Sequence, residues 1–272
     1  MHNGAGQAQR KLNCGRLRIT DCTRPSGEHP GERYSRGKSM HTAIITGASV
    51  GIGRATAQRF LALGYRVYNL SRRACPEDGV ENIACDLASD ASINAACSTL
   101  LPVVKDSETV CLLHNASQMR KDAVSDCSSD SLREVLETNV VALNSVNQLL
   151  LPALPAGSSL LYIGSTLSEK AVAGSFSYVL SKHAQLGMMR ASCQDLMGTG
   201  IHTALICPGF TDTEMLRTHI GNNPEVVAAI GGMNAYGRLI DPGEIAELIV
   251  WAHGNPVING AVLHANLGQK EA

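Results

Sequence analysis

Residues 41–60 constrain the fold of this chain more than any other stretch. His41-Thr42-Ala43-Ile44-Ile45-Thr46 is a short apolar run, Gly47, Gly51 and Gly53 punctuate the residues after it, and Arg54 to Phe60 carry a helical period. A strand, a glycine turn and a helix in that order open a unit whose next strand runs parallel to the first, because the intervening helix carries the chain back along the sheet. The alternation continues. Apolar runs at residues 65–70, 82–85, 109–114, 159–164, 201–207 and 261–266 are separated by helical patterns, one Ala-rich to about Leu101, then 131–151, 176–197 and 245–251. This predicts an α/β fold, a Rossmann-like doubly wound parallel sheet of about seven strands with helices on both faces. At 272 residues, 44% of them hydrophobic, the chain suits one large core. Residues 40–272 are therefore expected to form a single domain.

Residues 1–39 differ in kind. They hold eight Lys or Arg against three acids, with few large aliphatics, and such a segment buries too little to order itself. A disordered basic tail is expected there. Two readings compete for it: a targeting or binding role, or an appendage upstream of a natural start at Met40, and the second is preferred. The formal net charge of -1 argues against a nucleic-acid footprint. No apolar stretch reaches membrane-spanning length and no secretory leader is apparent, so a cytoplasmic protein without a membrane partner is expected. The nine cysteines are scattered without a Cys-x-x-Cys pair, and neither a metal nor a disulfide framework is indicated. Cys85, Cys111 and Cys207 lie in strand-like runs, where they are expected to pack.

The glycine turn points to a ligand. Gly47, Gly51 and Gly53, with Ser49 and Ile52 among them, suit a tight turn, a backbone approached by a pyrophosphate, and close packing of helix on strand. A plain glycine-rich loop is the alternative. Ser71 and Arg72 follow the second strand, where an acid would hold both ribose hydroxyls and repel a 2′-phosphate; here there is room and positive charge for that phosphate, which selects NADP (NADPH). A solvated pair, Arg72 and Arg73, remains the alternative. Asp86, with Leu87 after it, would face adenine. The short connection between the second and third strands loosens that side. Asn115 and Ala116 close the fourth strand with side chains small enough for a ligand to approach.

A second cluster supplies chemistry. Tyr178 and Lys182 are four residues apart, hence on one helical face, where the ammonium is expected to lower the phenol's pKa towards a useful range. Ser165 ends an apolar run and would deliver a hydroxyl to the same crevice. Asn139, in mid-helix, implies a specific partner. His114 at a strand end is read as structural. The long connection over residues 211–236 is read as a lid, and Gln118, Met119, Thr166 and Phe176 are placed around the substrate.

Taken together, residues 41–268 resemble the short-chain dehydrogenase/reductase family in its short one-domain branch. Thr46-Gly47-x-x-x-Gly51-x-Gly53 has that branch's spacing, Asn139, Ser165, Tyr178 and Lys182 match its catalytic tetrad, and Pro208-Gly209 with Thr213 match its nicotinamide-side loop. The resemblance implies hydride transfer from NADPH to a small ketone or aldehyde, reversible as an alcohol dehydrogenase. In that scheme Tyr178 is the general acid, Ser165 the carbonyl anchor, Lys182 the ribose ligand, Asn139 the holder of a water that refills the proton, and Thr213 the guide of the carboxamide. It also implies a homodimer or homotetramer. His114, Ser117 and Leu267 depart from the family pattern, the last replacing a glycine. Two rivals stay open: a non-catalytic NADP-sensing protein, and a reductase of 3-oxoacyl groups on a carrier. Segment 151–157 carries no charge and segment 194–200 none except Asp195, and this lack of positive charge argues for a free substrate over a carrier-bound one.

Overall fold

The computed structural model describes residues 41–270, so the expectation for residues 1–39 lies outside the described residues. In chain order the elements are β1 (His41–Thr46), α1 (Gly51–Ala62), β2 (Arg66–Ser71), β3 (Val80–Ala84), α2 (Asp90–Lys105), β4 (Thr109–His114), α3 (Ser129–Leu136), α4 (Ala142–Leu150), β5 (Ser159–Ile163), α5 (Phe176–Asp195), β6 (His202–Pro208), α6 (Glu214–Ile220), α7 (Pro224–Gly231), α8 (Pro242–His253) and β7 (Ala261–Ala265). All seven strands are parallel and lie in the order β3-β2-β1-β4-β5-β6-β7. The winding reverses between β1 and β4. In a sheet of this kind the ligand crevice opens there, beyond the carboxyl ends of the strands.

Helices cover both faces because the central strands are apolar on both sides. β1, β4, β5 and β6 are buried almost along their whole length. On one face, Ile93, Leu100, Leu143, Leu150 and Met189 of α2, α4 and α5 pack on Ile44, Leu112, Leu160 and Leu205. On the other, Phe60 of α1 and Ile245 and Ile249 of α8 pack on Ile45, Leu113, Leu161 and Ile206. Cys85, Cys111 and Cys207 are buried among these side chains. None of the described helices is long and apolar enough to cross a membrane.

Two departures from the sequence reading have physical causes. The connection of β2 to β3 over residues 72–79 contains no helix, as its length implied, yet it is tied closely to the fold. Asn82 Oδ1 accepts from Cys75 N (2.7 Å) and from Asn69 Nδ2 (2.9 Å), while buried Cys75 plugs the connection into the α1 side of the core. The stretch 211–236, read as an irregular lid, contains α6 and α7. Thr213 caps the first by accepting from Leu216 N (3.2 Å), and Asn223 caps the second by accepting from Glu225 N (2.9 Å) just before Pro224.

Candidate active site

At the reversal point a cleft of ≈ 1550 Å³ is bounded by the glycine turn, the ends of β2, β4, β5 and β6, and the start of α6. The turn is built from backbone. Gly47 (φ 72) and Gly51 (φ 56) occupy the left-handed region, which a side chain disfavours. Ala48 N donates to Asn69 Oδ1 (2.8 Å), and Asn115 Nδ2 donates to the carbonyls of Thr46 (3.0 Å) and Gly47 (2.9 Å). Asn69 therefore ties the turn to the abbreviated connection after β2. The N-terminus of α1 has no capping side chain and no acid in its first turn, whereas α2, α3, α6, α7 and α8 each begin on a capping Ser, Thr, Asn or Asp. Its orphan N–H groups and its dipole are left for an anion. These features fit the pyrophosphate of a dinucleotide.

Gly53 does not line the cleft, and its expected contact of helix on strand is a contact within the turn itself. A Cβ there would overlap the Gly47 carbonyl oxygen and press on Asn115 Nδ2, both of which are fixed. Gly53→Ala is therefore expected to spring the turn and weaken dinucleotide binding at least about tenfold, in line with the 1–3 kcal/mol typical of overpacking. Fluorescence titration of the cofactor checks this, and unchanged affinity would contradict the packing.

On the opposite wall, Ser165 caps a 3-10 turn. Its Oγ accepts from Leu167 N (3.1 Å), leaving its own proton to be donated into the cleft. Tyr178 enters from the first turn of α5, whose N-terminus is held by Asp122: Ser177 N donates to Asp122 Oδ1 (3.0 Å), and the Ser177 hydroxyl donates to the other oxygen. Lys182 lies one turn on. Its Nζ donates to the Ile163 carbonyl (2.8 Å) and to Gln185 Oε1 (3.0 Å), and sits 5.4 Å from the centre of the Tyr178 ring. Tyr178 is 8% and Lys182 1% exposed, and that depth decides their charge states. Burial pushes the phenol's pKa up to about 12, although the Ser165 and Ser117 hydroxyls beside it pull the other way. Burial pushes the ammonium's down to about 7. The shift runs opposite to the one expected from the lysine charge: desolvation outweighs the hydrogen bonds of the two serines.

The fold and the cleft have known counterparts. The family model described as enoyl-(acyl carrier protein) reductase matches residues 47–270, most of the chain. The chain belongs to the short-chain dehydrogenase/reductase family. It is 28% identical over 232 residues to carbonyl reductase family member 4 of Danio rerio, covering 81% of this chain and 94% of the relative. It is 26% identical over 239 residues to a 3-oxoacyl-[acyl-carrier-protein] reductase of Salmonella typhimurium, covering 83% and 96%. A short-chain dehydrogenase from Burkholderia cenocepacia, solved in complex with NADP, superposes with a TM-score of 0.75 at 25% identity, covering 85% of this chain and 98% of that one. As a short-chain dehydrogenase/reductase, the protein is an oxidoreductase acting on carbonyl and hydroxyl groups.

Most residues singled out from the sequence line this cleft: Gly47, Ser49, Gly51 and Ile52 of the turn, Ser71, Arg72, Asp86 and Leu87 on one side, and Asn115, Ala116, Ser165, Tyr178, Lys182, Pro208, Gly209 and Thr213 on the other. Asn139 does not. It lies wholly buried in a π-helical turn (Glu137–Val141) between α3 and α4, accepting from Gln118 N (2.7 Å) and donating to Gln118 O (2.8 Å) and Ser181 Oγ (2.9 Å). It fixes the cleft floor from behind. Thr213 presents a hydroxyl already accepting the α6 cap bond, and its methyl group packs on Gly51. Gln118, Met119 and Thr166 line the cleft, but Phe176 does not; Val172, Ala173 and Ser175 take that place. His114 is 2% exposed, its Nε2 2.7 Å from Asn147 Oδ1 and its ring stacked on Tyr162, and burial pushes its pKa down to about 4. It packs as a neutral core residue.

Arg72 and Arg73 separate into two roles. Arg73 is bound at both ends of its guanidinium to Glu214 (3.3 and 3.2 Å) and touches Ser49 Oγ (3.3 Å), whereas Arg72 is exposed on the cleft rim without an ion pair among the described residues. The sequence reading missed Asn69 and Gln185. The signal for each was a polar amide in an otherwise apolar, buried row: Asn69 at the centre of β2, Gln185 one turn beyond Lys182. Leu267, where the family pattern has glycine, holds φ 53 and is the sole described non-glycine with positive φ. It bears that strain while packing against the α1-side core.

Proposed function

We propose that the protein is an NADPH-dependent reductase of a small ketone or aldehyde, reversible as an alcohol dehydrogenase, with Tyr178 as general acid. The observation that carries this reading is the convergence of Ser165, Tyr178 and Lys182 on the cleft into which the glycine turn opens. Bound NADPH supplies a hydride from C4 of its nicotinamide. Gly47, Ser49, Gly51 and Ile52 with the open end of α1 would hold the pyrophosphate, Asp86 and Leu87 the adenine, and Asn115, Ala116, Pro208, Gly209 and Thr213 the nicotinamide side. The Ser165 hydroxyl donates to the carbonyl oxygen through a hydrogen bond that strengthens as negative charge develops there. Tyr178, held neutral by burial, gives its proton to that oxygen. Lys182 would bond the nicotinamide ribose.

Arg72 supports NADPH over NADH, because a free guanidinium on the rim beyond β2 can pair with a 2′-phosphate. Hydrogen bonds to charged groups contribute about 1.5–3 kcal/mol, so Arg72→Ala is expected to raise the KM for NADPH about 10–100-fold and leave that for NADH unmoved. The assay is NADPH and NADH oxidation with a panel of ketones and aldehydes. Tight NADPH binding without oxidation by any of them would favour the sensor reading, and an unchanged preference in Arg72→Ala would remove the NADP assignment.

One observation favours the carrier-linked alternative. The segments 151–157 and 194–200, whose lack of positive charge argued against a carrier, do not line the cleft; Lys121 and Arg133 do, with Arg120 nearby, the two arginines each held by an acid. A salt-sensitive gain in rate with carrier-bound over free 3-oxoacyl substrate would select that reading. A homodimer or homotetramer formed through the helices around Asn139 and Tyr178 and a cytoplasmic location belong to the same proposal; the exposed Val141 (43%), which ends the π-helical turn, and Leu180 (41%), on α5, support the assembly.

A further inference from the structure

Lys182 is the most deeply buried cation of the cleft, and its surroundings are almost wholly neutral. On its own helix it faces Tyr178; from β6 the Cys207 thiol bears on its charge; β5 offers only the Ile163 carbonyl. No carboxylate compensates it among the described residues. The remaining partner is Gln185, 1% exposed, whose Oε1 accepts from Lys182 Nζ (3.0 Å) while its Nε2 donates to the Asn139 carbonyl (2.8 Å). The orientation of this amide is dictated by its neighbours. Turned over, it would set an NH2 group against an ammonium and an oxygen against a carbonyl.

We infer that Gln185 is a positioning residue for the reaction: its side-chain amide spans the gap between the Asn139 backbone and Lys182 and fixes the ammonium beneath the Tyr178 ring. This rests on the reading of the site as a reductase. The role that the family resemblance gives Asn139, holding a water that refills the proton, changes accordingly. Its side chain is engaged by Gln118 and Ser181, and its carbonyl by an amide that orients the lysine and carries no exchangeable acid at neutral pH.

The test reads Lys182 directly, without turnover. The full chain, free of cofactor, is labelled with ¹³C at lysine Cε, the Lys182 resonance is assigned by its loss in Lys182→Met, and its titration is followed by NMR. Wild type is expected to titrate at about 7. Gln185→Glu keeps an acceptor for the ammonium and adds charge, so its midpoint is expected to rise by about one unit or more, a tenfold gain in proton affinity. Gln185→Leu removes the acceptor and is expected to shift the midpoint down. A residue that merely fills space would leave both midpoints at the wild-type value or move both in one direction, and either result overturns the inference. Should the Leu variant not fold, the Glu variant decides alone: an unshifted midpoint refutes. Opposite shifts in a chain that oxidises NADPH with no carbonyl compound would keep this inference and remove the proposed function.

Discussion

Tyr178→Phe is expected to lower kcat for carbonyl reduction by about 10²–10⁴-fold, the range over which a positioned general acid acts. The substitution removes one oxygen and nothing else. The ring stays in the first turn of α5, anchored through Ser177 and Asp122, and the phenol's side-chain neighbours, the Ser165 and Ser117 hydroxyls, belong to the cleft wall beside it. Burial keeps the native phenol protonated at neutral pH, so what is lost is a donor, not a charge. Two consequences separate this from a general disturbance. The Kd for NADPH should change by no more than about threefold, because the turn, the α1 N-terminus and Arg72 are untouched. The melting temperature should hold or rise, since a buried polar atom is removed. Equal kcat in the variant would take Tyr178 out of the chemistry. A loss of kcat matched by a loss of NADPH affinity would make it a binding residue.

The parts of this molecule set by local pattern were legible in its sequence. β4 occupies the predicted 109–114, because an apolar run bracketed by polar residues has one way to be buried in a parallel sheet. The glycine turn was legible because glycines at those spacings answer to backbone geometry. α6 and α7 were missed although Thr213, Asn223 and Pro224 are helix-start signals; the apolar residues between them are too few to establish a period. Membership of the cleft wall was harder. Gly53 and Asn139 belong to the shell behind it, and only the three-dimensional arrangement separates a residue that faces a ligand from one that holds such a residue in place. The charge states of Tyr178 and Lys182 were least legible. Their four-residue spacing is local, but burial is set by β5, β6 and the π-helical turn closing over them, and it reverses the shift expected of the phenol.

Lys182→Met is expected to abolish measurable reduction and, at the same time, to change how stability depends on pH. In the folded protein the lysine's pKa of about 7 lies well below its ordinary 10.5. Between those values the unfolded chain binds a proton that the folded chain does not, so wild-type stability from this group rises with pH across that window. Below pH 7 both states carry the charge, and the full penalty of burying it is present. The methionine variant carries no such penalty. Its stability relative to wild type should therefore be highest near pH 6, decline as pH rises from 7 to 10.5, and level off above, over a span on the order of 5 kcal/mol at most. The variant also leaves the Ile163 carbonyl and Gln185 Oε1 without their donor, which costs about 1–3 kcal/mol for each group. That loss does not vary with pH, so it shifts the whole difference curve without changing its slope. Denaturant melts of both proteins at pH 6, 8 and 10 isolate the slope. A difference independent of pH would mean that Lys182 keeps an ordinary pKa despite its burial, and the account of the site as a desolvated ammonium beneath a neutral phenol would fail.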